Sequence, residues 1–341
     1  MNAISPASDS FAFDQSEVRL LASVKYWALK ASSKESILPN RQSLKNIFRD
    51  SSDIVDQDRY RKLKADWCEQ WKRTTCDLLE LGELINEDKL HEALNEANLH
   101  NTKTAAFCVE AATWAPFHEF TEGDTRYQKL RTDDIDFNNY CKYICNLPVL
   151  RTFSAVTLKS MRDDYEACTK KIVKTVNGEN YTWIWVGAGA LALLLVAPYA
   201  AGMIGGMMGL TGAAATSAGL AFLGGGSLAA GGMGMTGGYV VLMAGGALMG
   251  YGGGSKQYRE RFTETSKEEI LVNCSKLHAM RDHLGITPEE VCKNLHAMQI
   301  DFDTLADNSY CQGKTSDGKD QSSKAIVLAT YRRIARGELN T

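Results

Sequence analysis

Trp183-Ile-Trp-Val-Gly-Ala-Gly-Ala-Leu-Ala-Leu-Leu-Leu-Val-Ala-Pro198 opens a stretch unlike the rest of this 341-residue chain. From Asn180 to Ser255, 76 residues, there is no Asp, Glu, Lys, Arg or His, and this run holds 22 of the 29 glycines and 7 of the 11 methionines. About 20 apolar residues span a bilayer as a helix, so the run has the length for two or three crossings with turns. So long an uncharged stretch of small residues argues against a single compact soluble enzyme. Averaged over the whole chain the signal disappears: 44% apolar, 23% charged and a net charge of −3 are ordinary globular values.

The ends of the run carry the marks of a membrane boundary. Tyr181, Trp183 and Trp185 stand at its entrance and Tyr251 near its exit, aromatic types that favour the lipid–water interface. Lys170, Lys171 and Lys174 precede it and Lys256, Arg259 and Arg261 follow, so positive charge holds both flanks on the cytoplasmic side. Both flanks on one side requires an even number of crossings, and a hairpin is the simplest case. Its first arm centres on Leu194, with Pro198 as a kink or break, and Tyr239-Val-Val-Leu-Met243 is the most apolar part of the second. Gly202/Gly206, Gly205/Gly209, Gly234/Gly238 and Gly246/Gly250/Gly254 each stand four apart. On helices these form side-chain-free strips that let backbones approach, a glycine-zipper pattern that predicts close packing and self-association in the bilayer.

The run divides the chain into residues 1–179, 180–255 and 256–341, and both polar parts read as helical. Leu20, Leu21, Val24, Trp27 and Ala28 make one apolar face within residues 15–30. Asn86 followed by Glu87 and Asp88 predicts a capped helix start. Leu158, Met161, Tyr165, Cys168, Ile172 and Val176 are spaced close to a heptad seam just before the run. Tyr258, Phe262, Ile270, Cys274, Leu277 and Leu284 allow a long amphipathic helix just after it, renewed at Ser266 by capping-box spacing to Glu269. The two either pair as a stalk or lie on separate domains. Gly285 stops the second, and Thr287-Pro-Glu-Glu290 starts another helix. Residues 308–323 read as a polar loop and Lys324–Arg336 as a short final helix. The fold class is therefore all-α, with helical N- and C-terminal domains flanking a Gly/Ala-rich hydrophobic membrane hairpin.

Other function classes find little support. A sequence pI near 6.1 leaves no basic surface for nucleic acid. Residues 256–341 carry 13 basic and 13 acidic side chains, and residues 1–179 the remaining 25 and 28. Nine scattered cysteines without a CxxC pair fit a reducing compartment, and Asp9 and Asp14 occupy the place of a signal-peptide core. Gly232-Met-Gly-Met-Thr-Gly237 spells a dinucleotide fingerprint, yet neither a strand precedes it nor an acidic residue follows at the required distance. Gly225-Gly-Ser-Leu-Ala229 ends in Ala where a nucleophile elbow needs Gly, and Gly253-Gly-Ser-Lys256 lacks P-loop spacing. Cys141/Cys145 and His278/Asp282/His283 are the nearest approaches to a metal set, and no metal, cofactor or catalytic residue is expected.

The stretch Leu223-Gly-Gly-Gly-Ser-Leu-Ala-Ala-Gly-Gly-Met-Gly-Met-Thr-Gly-Gly238 resembles the membrane hairpins of transmembrane-and-coiled-coil-domain proteins and of interferon-inducible small membrane proteins. The plan of helical parts around an apolar hairpin is similar to colicin-type pore-forming domains. The resemblance covers about a fifth of the chain and is compositional; the hydrolase serine motif of the first group has no counterpart here. It implies a protein made in the cytoplasm that inserts into the inner membrane and perturbs or permeabilises it, a toxin or antiphage-defence effector. Its partners would be the lipid bilayer, further copies of itself and a regulatory protein. The alternative is a constitutive anchor whose cytoplasmic helices bind partners.

Overall fold

The computed structural model describes residues 15–34, 57–78, 81–99, 101–114, 116–117, 126–127, 130, 134–177, 267–284 and 287–339. Among these residues the protein is all-helical. The helices are α1 (Gln15–Lys34), α2 (Gln57–Leu78), α3 (Leu90–Glu96), α4 (Asn101–Ala112), α5 (Asp134–Asn146), α6 (Ala155–Asn177), α7 (Lys267–Leu284), α8 (Pro288–Cys311) and α9 (Thr315–Ala335). Two short 3₁₀ turns, Glu87–Lys89 and Leu150–Thr152, complete the set. The 180–255 run and its hairpin lie outside the described residues.

Two helices are enclosed rather than amphipathic. In α1 every residue from Leu20 to Tyr26 is buried, because α2, α3, α4 and α5 all pack on it. In α7 every residue from Ile270 to Met280 is buried, about three turns of helix with no wet face. Helices α4, α6 and α9 surround it. The expected face of Ile270, Cys274 and Leu277 is therefore one part of a helix buried all round.

The α6 seam behaves as its spacing predicts: Leu158, Met161, Tyr165, Cys168 and Ile172 are buried and Val176 packs against the core. Ser154 caps this helix, its Oγ accepting from the Thr157 N–H at 3.1 Å. Helix α6 runs antiparallel to α7. Phe153, just ahead of α6, meets His283 at the far end of α7 with ring centroids 5.8 Å apart, and Cys168 bonds Ser275 midway. The pair is not an exposed stalk, since α7 is wrapped on its other sides. Residues from both polar segments belong to one hydrophobic core, so the described parts of 1–179 and 256–341 do not have separate interiors.

An aromatic cluster fills the N-terminal half. Trp71 and Trp114 ring centroids lie 4.9 Å apart, Trp67 and Phe117 5.2 Å, and Trp114 and Tyr140 6.1 Å. Beside it the Lys64 ammonium forms a buried ion pair with Asp136 and sits 4.9 Å from the centroids of Tyr60 and Phe117.

Two expectations need correction. The polar loop over 308–323 is mostly helix: α8 continues to Cys311 and α9 begins at Thr315. Gly313 at φ 74° closes α8, with Gly313 N–H bonding Tyr310 C=O at 3.0 Å and Lys314 N–H bonding Ser309 C=O at 2.8 Å. This Schellman motif turns the chain within three residues, and the final helix is 21 residues long rather than a short one from Lys324. Its polar residues are simply its wet side. The helix after Asn86 starts as a 3₁₀ turn, and Asn86 makes no side-chain cap; Lys89 N–H bonds its backbone carbonyl at 3.1 Å instead. As predicted, Pro288 stands at the start of α8.

Trp71 is completely buried at the centre of the aromatic cluster. Trp71→Ala should therefore destabilise the protein by about 3–5 kcal/mol, read as a lower urea midpoint.

Candidate functional site

Trp183, Trp185, Leu194, Pro198, Gly202, Gly206, Gly209, Gly234, Gly238, Gly246, Gly250 and Gly254 all lie outside the described residues. What the structure does describe is the helical body to which α6 and α7, the described helices before and after the run, belong. Because α6 and α7 are antiparallel neighbours, Asn177 and Lys267 lie at the same end of that pair.

The frame is closed by charge. Lys276 of α7 donates to both carboxylate oxygens of Glu110 in α4, at 2.8 and 2.9 Å, with side chains 4% and 3% exposed. Lys25 of α1 feels the same charges. Burial lowers its pKa to about 7, with Glu110 opposing the shift and Lys276 adding to it. Its ammonium also lies 5.7 Å from the Trp114 ring centroid. Tyr165 of α6 completes the group, its phenol pushed upward by burial and by the charge on Glu110. Four helices thus meet around one carboxylate.

This arrangement ties four helices together. Burial pushes the Cys68, Cys141 and Cys168 thiols up to about 12, and Cys108 and Cys274 upward as well, so these thiols are poor nucleophiles. Among the described residues no group of three or more His, Cys, Asp or Glu is placed to hold a metal. Asp282 is turned out to solvent beside Arg281, away from the buried His278. No described helix is long and apolar enough to cross a membrane.

Histidine 278 adds a second, acid-sensitive element. Its ring packs edge-on against Tyr331 of α9 with centroids 6.0 Å apart, and its Nδ1 is buried without a hydrogen-bond partner. Burial, and then the charge of Arg281, lower its pKa to about 4, with Asp282 opposing.

No protein family, curated protein or solved structure matches the chain. Sequence reasoning passed over Glu110, Lys276 and Lys25, and it weighed His278 only as a metal ligand beside Asp282 and His283. A signal was present for Lys276: it is the lone cation in Ile270-Leu-Val-Asn-Cys-Ser-Lys-Leu-His-Ala-Met280, a stretch in which charge has no obvious wet face.

Removing one member of a buried pair strands the other, at a cost of about 3–5 kcal/mol, whereas apolar replacement of both is tolerated. Lys276→Met alone should lower stability by about that amount, and Lys276→Met with Glu110→Leu should recover most of it. Urea midpoints of the three proteins check the cycle. For His278 the fold favours the neutral ring, so between its lowered value of about 4 and its ordinary 6.5 the unfolded chain binds the extra proton. Stability contributed by this group is therefore lost as pH falls through that window. His278→Leu should flatten the fall in urea midpoint relative to the wild type across the same range.

Proposed function

We propose that this protein is a membrane-perturbing effector of toxin or antiphage type, in which residues 180–255 enter a bilayer as a hairpin while the helical body stays on the cytoplasmic face. One observation supports the topology independently of the basic flanks: α6 and α7, the helices on either side of the run, are antiparallel members of one core. A folded body tied across by Glu110 and Lys276 supports a placement of both polar parts on one side of the membrane, and with it an even number of crossings.

The same frame supports conditional exposure. Asn177 and Lys267, the described residues on either side of the run, lie at one end of a closed helical pair, which supports movement of the run between a shielded and an inserted state without unfolding the body. Intrinsic commitment to insertion is limited, because each interior glycine costs a helix about 1 kcal/mol relative to alanine. Packing through the strips at Gly202/Gly206, Gly234/Gly238 and Gly246/Gly250/Gly254 offsets this, and assembly of several copies follows from it. A regulatory protein partner acting on the body would set the balance.

Planar-bilayer recording of the purified chain tests the reading. The wild type should conduct, and Leu194→Arg should weaken conduction by opposing insertion with about 2.5–3.5 kcal/mol. Gly246→Leu with Gly250→Leu should insert but conduct less. A chain lacking 180–255 should keep its melting temperature and be silent. A wild-type chain that inserts and leaves the bilayer silent is an anchor, and the effector reading then fails.

A further inference from the structure

The hairpin of α8 and α9 carries a surface cavity of about 400 Å³ that no part of the membrane reading uses. Its lining is cationic: Lys293 from α8, Arg332 from α9 and Arg336 just beyond the end of α9, against one carboxylate among the described lining residues, that of Glu289. Among the described residues Lys293 is exposed and forms no ion pair, and Arg336 has a single 3.7 Å contact, with Glu338. A cavity of this size is within the range of small-ligand sites, and excess positive charge around it selects for anions.

Arg332 gives the cavity its chemistry. Its Nη1 donates to His296 Nδ1 at 3.0 Å and to Gln299 Oε1 at 2.8 Å, both neutral acceptors. A guanidinium has no acceptor, so His296 Nδ1 must be unprotonated and the ring proton lies on Nε2, a donor. With Nη1 fastened, the guanidinium plane is fixed, and its Nε is buried without a partner. With Nε shut off from solvent, Nη2 is the nitrogen left to face the cavity, and with no carboxylate paired to Arg332 among the described residues it is prepared to donate to an oxyanion there.

We propose that the α8–α9 cavity is a binding site for a compact phosphate-bearing ligand, pyrophosphate or a phosphomonoester, with Arg332 Nη2 as the fixed cationic donor and Lys293, Arg336 and His296 Nε2 as supporting donors. Glu289 limits the ligand charge the cavity accepts at its α8 end. The site stands apart from the membrane reading, since a chain that neither inserts nor conducts can still bind pyrophosphate.

Titration calorimetry of the full chain with sodium pyrophosphate, at ionic strength matched with chloride, is the test. Saturable binding is expected, with Arg332→Gln weakening it about tenfold because the fixed cation is lost. Lys293→Ala, an exposed change that leaves packing alone, should weaken it as well. Glycerol 3-phosphate, a soluble phospholipid headgroup, separates the two sources of the chemistry. Binding of it tighter than pyrophosphate, with the same dependence on Arg332, assigns the site to a lipid headgroup; the reverse order assigns it to a soluble phosphate compound. Absence of saturable binding by both probes, or equal affinities in wild type and both variants, overturns the proposal.

Discussion

An ammonium group that water does not reach has to be met by an anion, and for Lys276 that anion is Glu110, on a helix 166 residues earlier in the chain. Apolar packing alone lets a helix slide or rotate among near-equivalent seatings. A bidentate contact in a dry interior allows one. Helix α7 is therefore fixed both along and about its axis, and α6 and α9, which pack on it, inherit that placement. The pair contributes little net stability compared with an apolar alternative, and its value lies in choosing this arrangement over its neighbours. Lys25 is buried in the same field, and burial lowers its pKa to about 7 while Glu110 opposes the shift.

Much of the helical content was legible from spacing, and α6 shows why. Leu158, Met161, Tyr165, Cys168 and Ile172 lie on one face of a helix that has one wet side, so period and burial coincide. The rule loses its grip where a helix has no wet side. In α7 the polar residues Asn273, Ser275, Lys276 and His278 are as buried as the apolar ones, and no periodicity survives to report that. The start of α9 was missed for the opposite reason. Thr315–Ser323 contains too few apolar residues to show a stripe, and only Gly313 and its two capping bonds reveal that the turn is short.

The functional part divides differently. A charge-free run of this length is visible in composition alone, and its glycine spacings come with it. The groups that gather around Glu110 come from four helices far apart in sequence, and nothing local to any of them announces a partner. Arg332 and His296 are equally silent: each is an ordinary polar residue of a surface helix until α8 folds back on α9 and places their nitrogens 3.0 Å apart. Tertiary proximity, rather than residue type, makes these groups notable.

The antiparallel seating of α6 and α7 also has a consequence for biosynthesis. A ribosome releases the chain from its N-terminus at about 5–20 residues per second, so the apolar run emerges several seconds before the last of α7 to α9. During that interval α4 and α6 are present without the helix that packs on both, and the surfaces destined for Ile270–Met280 are uncovered. Closing the body then requires contact across the whole intervening segment, a loop closure whose entropic cost rises with length and which slows folding. The nascent protein thus exposes its most apolar sequence before it owns the means to close around its ends. Whatever first meets the chain on the ribosome, membrane or chaperone, meets it in that order.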